Sequence, residues 1–218
     1  AAFDIGSGAT KMKVAEVDNR KKKIIKELLV KDKPVEYKEC FKECTPDNLK
    51  FNKAVKEKGL LALAALKQEA QAFHPVSYIA VATSAFRSAR NAEEFAHEIY
   101  EKLEIPVYII SQEQEAILGF TAAQSKFNVS SDNLIVWDIG GGSMQITSAS
   151  KENKFSIYEG FMAAVSFKDM IISDIQKKDY KKITSPNPLQ KKGALESVKM
   201  ARLEARKIPE NIKEKIEN

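Results

Sequence analysis

Asp4-Ile5-Gly6-Ser7-Gly8-Ala9-Thr10-Lys11 and Asp138-Ile139-Gly140-Gly141-Gly142-Ser143-Met144-Gln145 are two versions of one pattern, 134 residues apart. An apolar, strand-like run leads into each, Ala1 to Phe3 and Leu134 to Trp137. A second strand-like run follows each, Met12 to Val17 and Gln145 to Thr147. Each copy therefore reads as strand, glycine-rich turn, strand. Glycine puts no Cβ between backbone and ligand, so successive N–H groups can form an anion-binding concavity. An Asp at the end of the incoming strand is placed to hold a cation or a water. One such hairpin is an ordinary Asp-Gly turn. Two, in the same strand context, point to a phosphate chain gripped from both sides.

Outward from the first copy, residues 1–32 read as three strands: Ala2–Asp4, Met12–Glu16 and Ile24–Val30. Residues 33–46 are polar and irregular. Thr45-Pro46 predicts a helix start, with Thr45 as N-cap, Pro46 in the first turn and Gly59 interrupting the helix. Val76–Thr83 is a strand, Asn91 with Glu94 opens a helix, and Ile105–Ile110 is a β-branched strand. Ser111 with Gln114 makes a capping-box signature for a helix to about Ser125. The order is βββ-α-β-α-β-α. Around the second copy, Leu134–Trp137, Gln145–Ala149 and Phe155–Tyr158 repeat the βββ opening. Helices follow at about 165–177 and 189–207, separated by Ser185-Pro186-Asn187-Pro188.

The paired loops resemble the phosphate-1 and phosphate-2 loops of the actin/Hsp70/sugar-kinase superfamily. The stretch between them narrows the choice. Ile79-Ala80-Val81-Ala82-Thr83-Ser84-Ala85-Phe86-Arg87, with Ala89-Arg90-Asn91-Ala92 after it, resembles the strand–TSAxR–AxN segment of the Ppx/GppA family, the exopolyphosphatases and guanosine pentaphosphate phosphatases. Ile109-Ile110-Ser111-Gln112-Glu113-Gln114-Glu115-Ala116 is similar to that family's "I-S-x-x-E-E-A" helix start, and Tyr158-Glu159-Gly160 through Val165-Ser166-Phe167 to its strand-to-helix passage. The resemblance runs along nearly the whole chain in order. It implies an α/β fold of two ribonuclease-H-like domains around a cleft, residues 1–126 and 127–218, with the loops facing each other. The family carries further strands and a third glycine-rich loop, so the second domain is expected to be truncated. The chain opens at Ala1 inside a strand without Met, so the natural start is expected upstream.

Bulk properties agree with a globular domain pair. The chain has 218 residues, 44% hydrophobic and 30% charged. No apolar run is long enough to span a bilayer, and no signal peptide is visible. Cys40 and Cys44 lie in a charged stretch with only His74 and His97 elsewhere, which is poor metal-site arithmetic. Two thiols of a reducing compartment is the simpler reading, and a cytoplasmic location is expected. Net charge is +5, and residues 151–218 hold 15 basic against 10 acidic side chains. Lys177, Lys178, Lys181, Lys182, Lys191 and Lys192 could attract a polyanion, or could be a solvated face. No aromatic residues interleave as in a nucleic-acid site.

The resemblance implies roles residue by residue. Asp4 and Asp138 are the metal or water ligands, suited to Mg²⁺ or another divalent cation. Gly6, Ser7 and Gly8, with Gly140, Gly141, Gly142 and Ser143, supply donors to phosphates. Where the family usually has Asn-Ser/Thr, this chain has Gly8-Ala9, and Thr10 is the candidate to compensate. Glu115 matches the catalytic glutamate that activates water; on its own, an acid in the first turn of a helix merely complements the dipole. Glu113 is its neighbouring candidate. Arg87 resembles a phosphate-contacting arginine, or else it makes a surface ion pair. Gln145 stands where the family has a glutamate, and a glutamate there is expected to raise turnover by restoring a carboxylate beside the cation. His74 and His97 read as structural or solvent-facing, and Trp137 as core.

The expected function is removal of a terminal phosphate from inorganic polyphosphate or guanosine pentaphosphate. The alternative is a catalytically weak or inactive homologue that binds polyphosphate or guanosine penta- or tetraphosphate as a sensor. A sugar or acetate kinase is disfavoured by Thr83 to Arg87 and Ser111 to Ala116. The expected partners are those polyphosphates, with a homodimer admitted and neither nucleic acid nor membrane.

Overall fold

The computed structural model describes residues 1–21, 23–127, 129–152 and 154–217. The chain divides into two compact units, Ala1–Ser111 and Gln112–Asn218. The division falls before helix α4 (Gln112–Phe127), whereas the sequence reading placed it after that helix, at 126/127. α4 packs on the three strands that follow it. It buries Ala116 and Phe120 there, with the Phe120 ring edge-on to Phe155 at 5.5 Å.

The first unit holds β1 (Ala2–Ile5), β2 (Ala9–Asp18), β3 (Lys23–Pro34), β4 (Ile79–Ala82) and β5 (Val107–Ile109). They form one sheet in the order β3-β2-β1-β4-β5. β1 runs antiparallel to β2 and parallel to β4, and β4 runs parallel to β5. This is the ribonuclease-H-like arrangement. Alternation along the strands buries Phe3, Ile5, Thr10, Met12, Val14, Ala80 and Ala82 on one side. Helices α1 (Lys53–Gln71), α2 (Ser84–Ser88) and α3 (Ala92–Leu103) contribute Leu63, Leu66, Phe86, Phe95 and Ile99 to the same core.

Two local expectations are corrected. Thr45-Pro46 does not start the helix: α1 begins at Lys53, capped by the Asn52 side chain, which accepts from the Val55 amide at 2.9 Å. The reason is a side chain 40 residues away. Asn91 accepts from the Phe51 amide at 2.9 Å and donates to the Phe51 carbonyl at 3.0 Å, imitating a strand partner. That pairing holds the segment before α1 extended. It also takes the Asn91 amide away from capping α3, where it makes no cap bond. The stretch 33–46 contains a 3-10 segment, Tyr37–Glu43, that buries Tyr37 and Phe41. Tyr37, Phe41, Phe51, Phe86 and Phe95 form a ring cluster with centroid spacings from 4.8 to 6.4 Å.

Gly59 has its explanation in the same cluster. A Cβ at Gly59 would lie 2.5 Å from the Tyr37 hydroxyl. That hydroxyl is fully buried beside Thr10, without a hydrogen bond of normal geometry, and burial pushes the phenol up to about 12.

The second unit has β6 (Ile135–Ile139), β7 (Met144–Ala149) and β8 (Phe155–Gly160), antiparallel in that order. α5 (Ala164–Met170) continues as a π-helical stretch, Ile171–Ile175, followed by α6 (Lys191–Ala205) and α7 (Glu210–Glu217). α7 went unpredicted. Its Ile212 is fully buried with Met144, Ile146 and Tyr158 under one face of the sheet. Trp137, read as core, is 62% exposed in the sheet of described strands β6-β7-β8, where β6 lies at one side. His97 faces solvent and meets Glu101 at 3.2 Å, and His74 is exposed. No helix among the described residues is long and apolar enough to cross a membrane.

Gly59→Ala is expected to destabilise the chain by about 1–3 kcal/mol, overriding the gain of roughly 1 kcal/mol that alanine gives an exposed helix position. Adding Tyr37→Phe, which removes the closest clashing atom, should recover part of the loss. Chemical denaturation of the two variants checks this; an unchanged midpoint for Gly59→Ala would show that Tyr37 can move aside.

Candidate phosphate-binding hairpins and catalytic face

The two hairpins share one turn closure. In each, four loop residues separate paired strands: Ile5 pairs with Thr10 and Ile139 with Met144. The first loop residue closes the turn by donating to the carbonyl of the fourth, Gly6 to Ala9 at 3.0 Å and Gly140 to Ser143 at 3.0 Å. A Cβ at Gly6 or Gly140 would stand 3.1 Å from that same carbonyl oxygen. Glycine is thus demanded by close approach at both positions.

The middle of each loop has its carbonyls tied down by the chain that follows. Ser7 O accepts from the Lys38 amide at 3.3 Å and Gly8 O from Val35 at 3.1 Å. In the second unit, Gly140 O accepts from Ala164 at 3.1 Å, and Gly141 O from Val165 at 3.0 Å and Ser166 at 3.3 Å. The last three donors are the first three amides of α5, which need partners outside the helix. A trans peptide points its N–H opposite to its C=O. Fixing these carbonyls therefore aims the N–H groups of Gly8, Gly141 and Gly142 the other way, as an anion requires. Ser7 Oγ is buried with no hydrogen-bond partner among the described residues. Leaving such a hydroxyl unmet costs about 1–3 kcal/mol, and a phosphate oxygen would satisfy it. Thr10 cannot compensate for the altered first loop. Its side chain is fully buried and points into the core beside Tyr37.

The strand register places the flanking residues. Asp4 lies across from Lys11, and Asp138 across from Gln145. Lys11 is exposed and holds in the first hairpin the station that Gln145 holds in the second. It was missed in the sequence, although the hairpin pairing itself is its signal. Asp138 is exposed, and Gln145 is 1% exposed.

α4 brings the remaining residues onto this face of the second unit. Asp138 Oδ2 lies 3.8 Å from the position of a Cβ on Gly119, and Glu115 sits one turn earlier on the same side of the helix. Gln145 Nε2 donates to Glu115 Oε2 at 3.5 Å. Glu115, Asp138 and Gln145 therefore share one surface beside the second loop, and Glu115, not Glu113, has the contact to it. Gln112 is a second residue that the sequence did not reveal. It is 8% exposed and its Nε2 donates to the carbonyls of Met144 at 3.1 Å and Gly160 at 3.3 Å. It pins the first turn of α4 across β7 and β8, next to Ser143. In the first unit Arg87 is partly committed to the fold, donating to the Ile110 carbonyl at 3.0 Å.

Among the described residues, no three His, Cys, Asp or Glu side chains gather as a metal cage. Mg²⁺ does not need one: it keeps waters and binds through one or two carboxylates plus phosphate oxygens. Asp138 with Glu115 nearby fits a cation of that kind. The lysine cluster is less positive than its sequence suggests. Lys178 and Lys192 line a hollow of about 530 Å³ whose walls also carry Asp174 and Glu196. Cys40 and Cys44 are free thiols.

The sheet order of the first unit and the twin hairpins define an α/β protein of the actin/Hsp70/sugar-kinase type. A family model described as the Ppx/GppA phosphatase family matches residues 14–216, and the chain belongs to that family. It is 29% identical over 172 residues to a bifunctional 3-dehydroquinate synthase/phosphatase of Fusobacterium nucleatum subsp. nucleatum, covering 73% of this chain and 25% of that protein. The Aquifex aeolicus PPX-GPPA enzyme matches with a TM-score of 0.70 at 21% identity, over 95% of this chain and 62% of that one. An exopolyphosphatase from Cytophaga hutchinsonii gives 0.63 at 18% identity, over 81% and 59%. The chain thus spans a quarter of that Fusobacterium relative and about three-fifths of these solved structures.

Gln112→Met keeps the length of the side chain but leaves two carbonyls short of a donor. It is expected to cost about 1–3 kcal/mol of stability, measured by urea unfolding. No loss would mean that these carbonyls find other donors.

Proposed function

We propose that this chain supports hydrolysis of a phosphoanhydride, releasing terminal phosphate from inorganic polyphosphate or guanosine pentaphosphate. The observation that supports it most is the grouping of Glu115, Asp138 and the second glycine-rich loop on one face of one unit. Hydrolysis of this bond needs positioning, charge neutralisation and an aligned water more than covalent help.

In this reading the N–H groups of Gly141 and Gly142, with Ser143, hold phosphate oxygens at the second loop. Gly6, Ser7 and Gly8 make an equivalent cradle in the first unit, where Lys11 adds a charge beside Asp4. Arg87 is the guanidinium of the first unit that this reading sets toward a phosphate, beside its bond to the Ile110 carbonyl. Glu115 accepts the proton of the attacking water at its carboxylate. Asp138 in the second unit would hold a divalent cation, which when bound neutralises charge on the phosphates, and Asp4 offers a carboxylate at the equivalent strand end of the first unit.

The second reading, a sensor that binds polyphosphate or guanosine penta- or tetraphosphate without turning it over, is favoured by one observation. Gln145 brings a carboxamide, which takes no proton and is a weak Mg²⁺ ligand, to the contact with Glu115. The two readings part in a phosphate-release assay with both substrates and Mg²⁺. For the hydrolase, Glu115→Gln should lower turnover at least ~10²-fold, as loss of a general base does, with substrate binding largely kept. Equal turnover in variant and parent would return Glu115 to a helix-dipole role, and tight binding without any release would establish the sensor.

A further inference from the structure

We infer that Gln145 is a positioning residue that fixes the Glu115 carboxylate through its side-chain N–H. The inference rests on the reading of Glu115 as the base. Three observations carry it. Gln145 is almost completely buried on β7, so its side chain has one place to be. Its cross-strand partner is Asp138, which puts it on the face covered by α4. Its Nε2 donates to Glu115 Oε2 at 3.5 Å, the long geometry expected before substrate tightens a catalytic contact.

The chemistry of that contact decides what a glutamate would do there. A carboxamide gives a carboxylate an N–H and no opposing charge. A carboxylate at 145 would face Glu115 at the same spacing, with no donor to offer. Like charges that close inside a protein repel strongly. On the sequence, Gln145→Glu is expected to raise turnover in a hydrolase and to weaken polyanion binding in a sensor; the contact with Glu115 adds a repulsion that a cation between the two carboxylates would relieve. With Gln145 the base is held by a neutral donor, and no carboxylate pair forms at this point.

Five forms of the full chain test this: parent, Gln145→Leu, Gln145→Glu, Glu115→Gln, and the swap Glu115→Gln/Gln145→Glu. Thermal unfolding in chelator reads the pairing without reference to activity. Gln145→Glu should lower Tm by about 5 °C, and the swap, which returns one carboxylate and one carboxamide, should recover most of it. Losses that simply add, or a Tm unmoved in Gln145→Glu, would overturn the pairing. Phosphate release from polyphosphate with Mg²⁺ reads the positioning. Gln145→Leu, which keeps the packing, should lower kcat roughly tenfold with KM unchanged, the cost of one hydrogen bond of this kind. An unchanged kcat in an active parent would overturn it. A parent that releases no phosphate removes the proposed hydrolase, while recovery in the swap would still establish that Gln145 holds Glu115.

Discussion

Both candidate phosphate loops depend on a single backbone constraint. The first glycine of each donates to the carbonyl four positions into the loop, at 3.0 Å in both cases, and a Cβ there would crowd that same oxygen. This closes a four-residue turn between paired strands. It leaves the two middle peptides to be oriented from outside. The 3-10 segment and Val35, the residue just after β3, do so in the first unit, and the start of α5 does so in the second. Because a trans peptide is rigid, holding the carbonyls inward is the same act as presenting the amides outward. In each candidate loop the backbone itself thus presents its amides, held in place by hydrogen bonds from elsewhere in the same unit.

The catalytic face adds a second layer to that preparation. α4 is amphipathic only weakly in pattern, yet its placement is exact because Gln112 crosses its first turn to two carbonyls of the neighbouring strands. Glu115, one turn on, then lies over the strand pair that carries Asp138 and Gln145. The residues with chemistry come from three elements, but the helix that brings the base shares its unit with the loop it serves. A domain boundary drawn at the end of α4 separates these residues; the packing of Ala116 and Phe120 keeps them together.

At several positions a neighbour distant in sequence, and not the local pattern, decides what the residue does. Asn91 is a good helix opener in sequence, but its amide pairs with Phe51, and in doing so it moves the start of α1 from Thr45 to Lys53. Thr10 has the hydroxyl that a phosphate loop could use, but strand alternation turns it into the core. Gly59 is a defect in a helix until Tyr37 is placed against it. Trp137 belongs to an apolar run, yet it is exposed on β6, at one side of the sheet of described strands.

The sequence by itself determined the class of protein. Two glycine-rich hairpins behind strand-like runs, the order of strands and helices, and Glu115 after Ser111 are local patterns, and local patterns are set by φ/ψ preference, side-chain period and turn chemistry. Those forces act over a few residues, so a single chain displays them. The tertiary structure alone decided that the loop amides are aimed by bonds from segments some 25 to 30 residues away, that Gln112 fastens α4, and that Gln145 meets Glu115 across 30 positions of chain. Hydrogen bonds of that kind are chosen by which buried polar groups the fold leaves facing each other, a property of packing that no window of sequence contains.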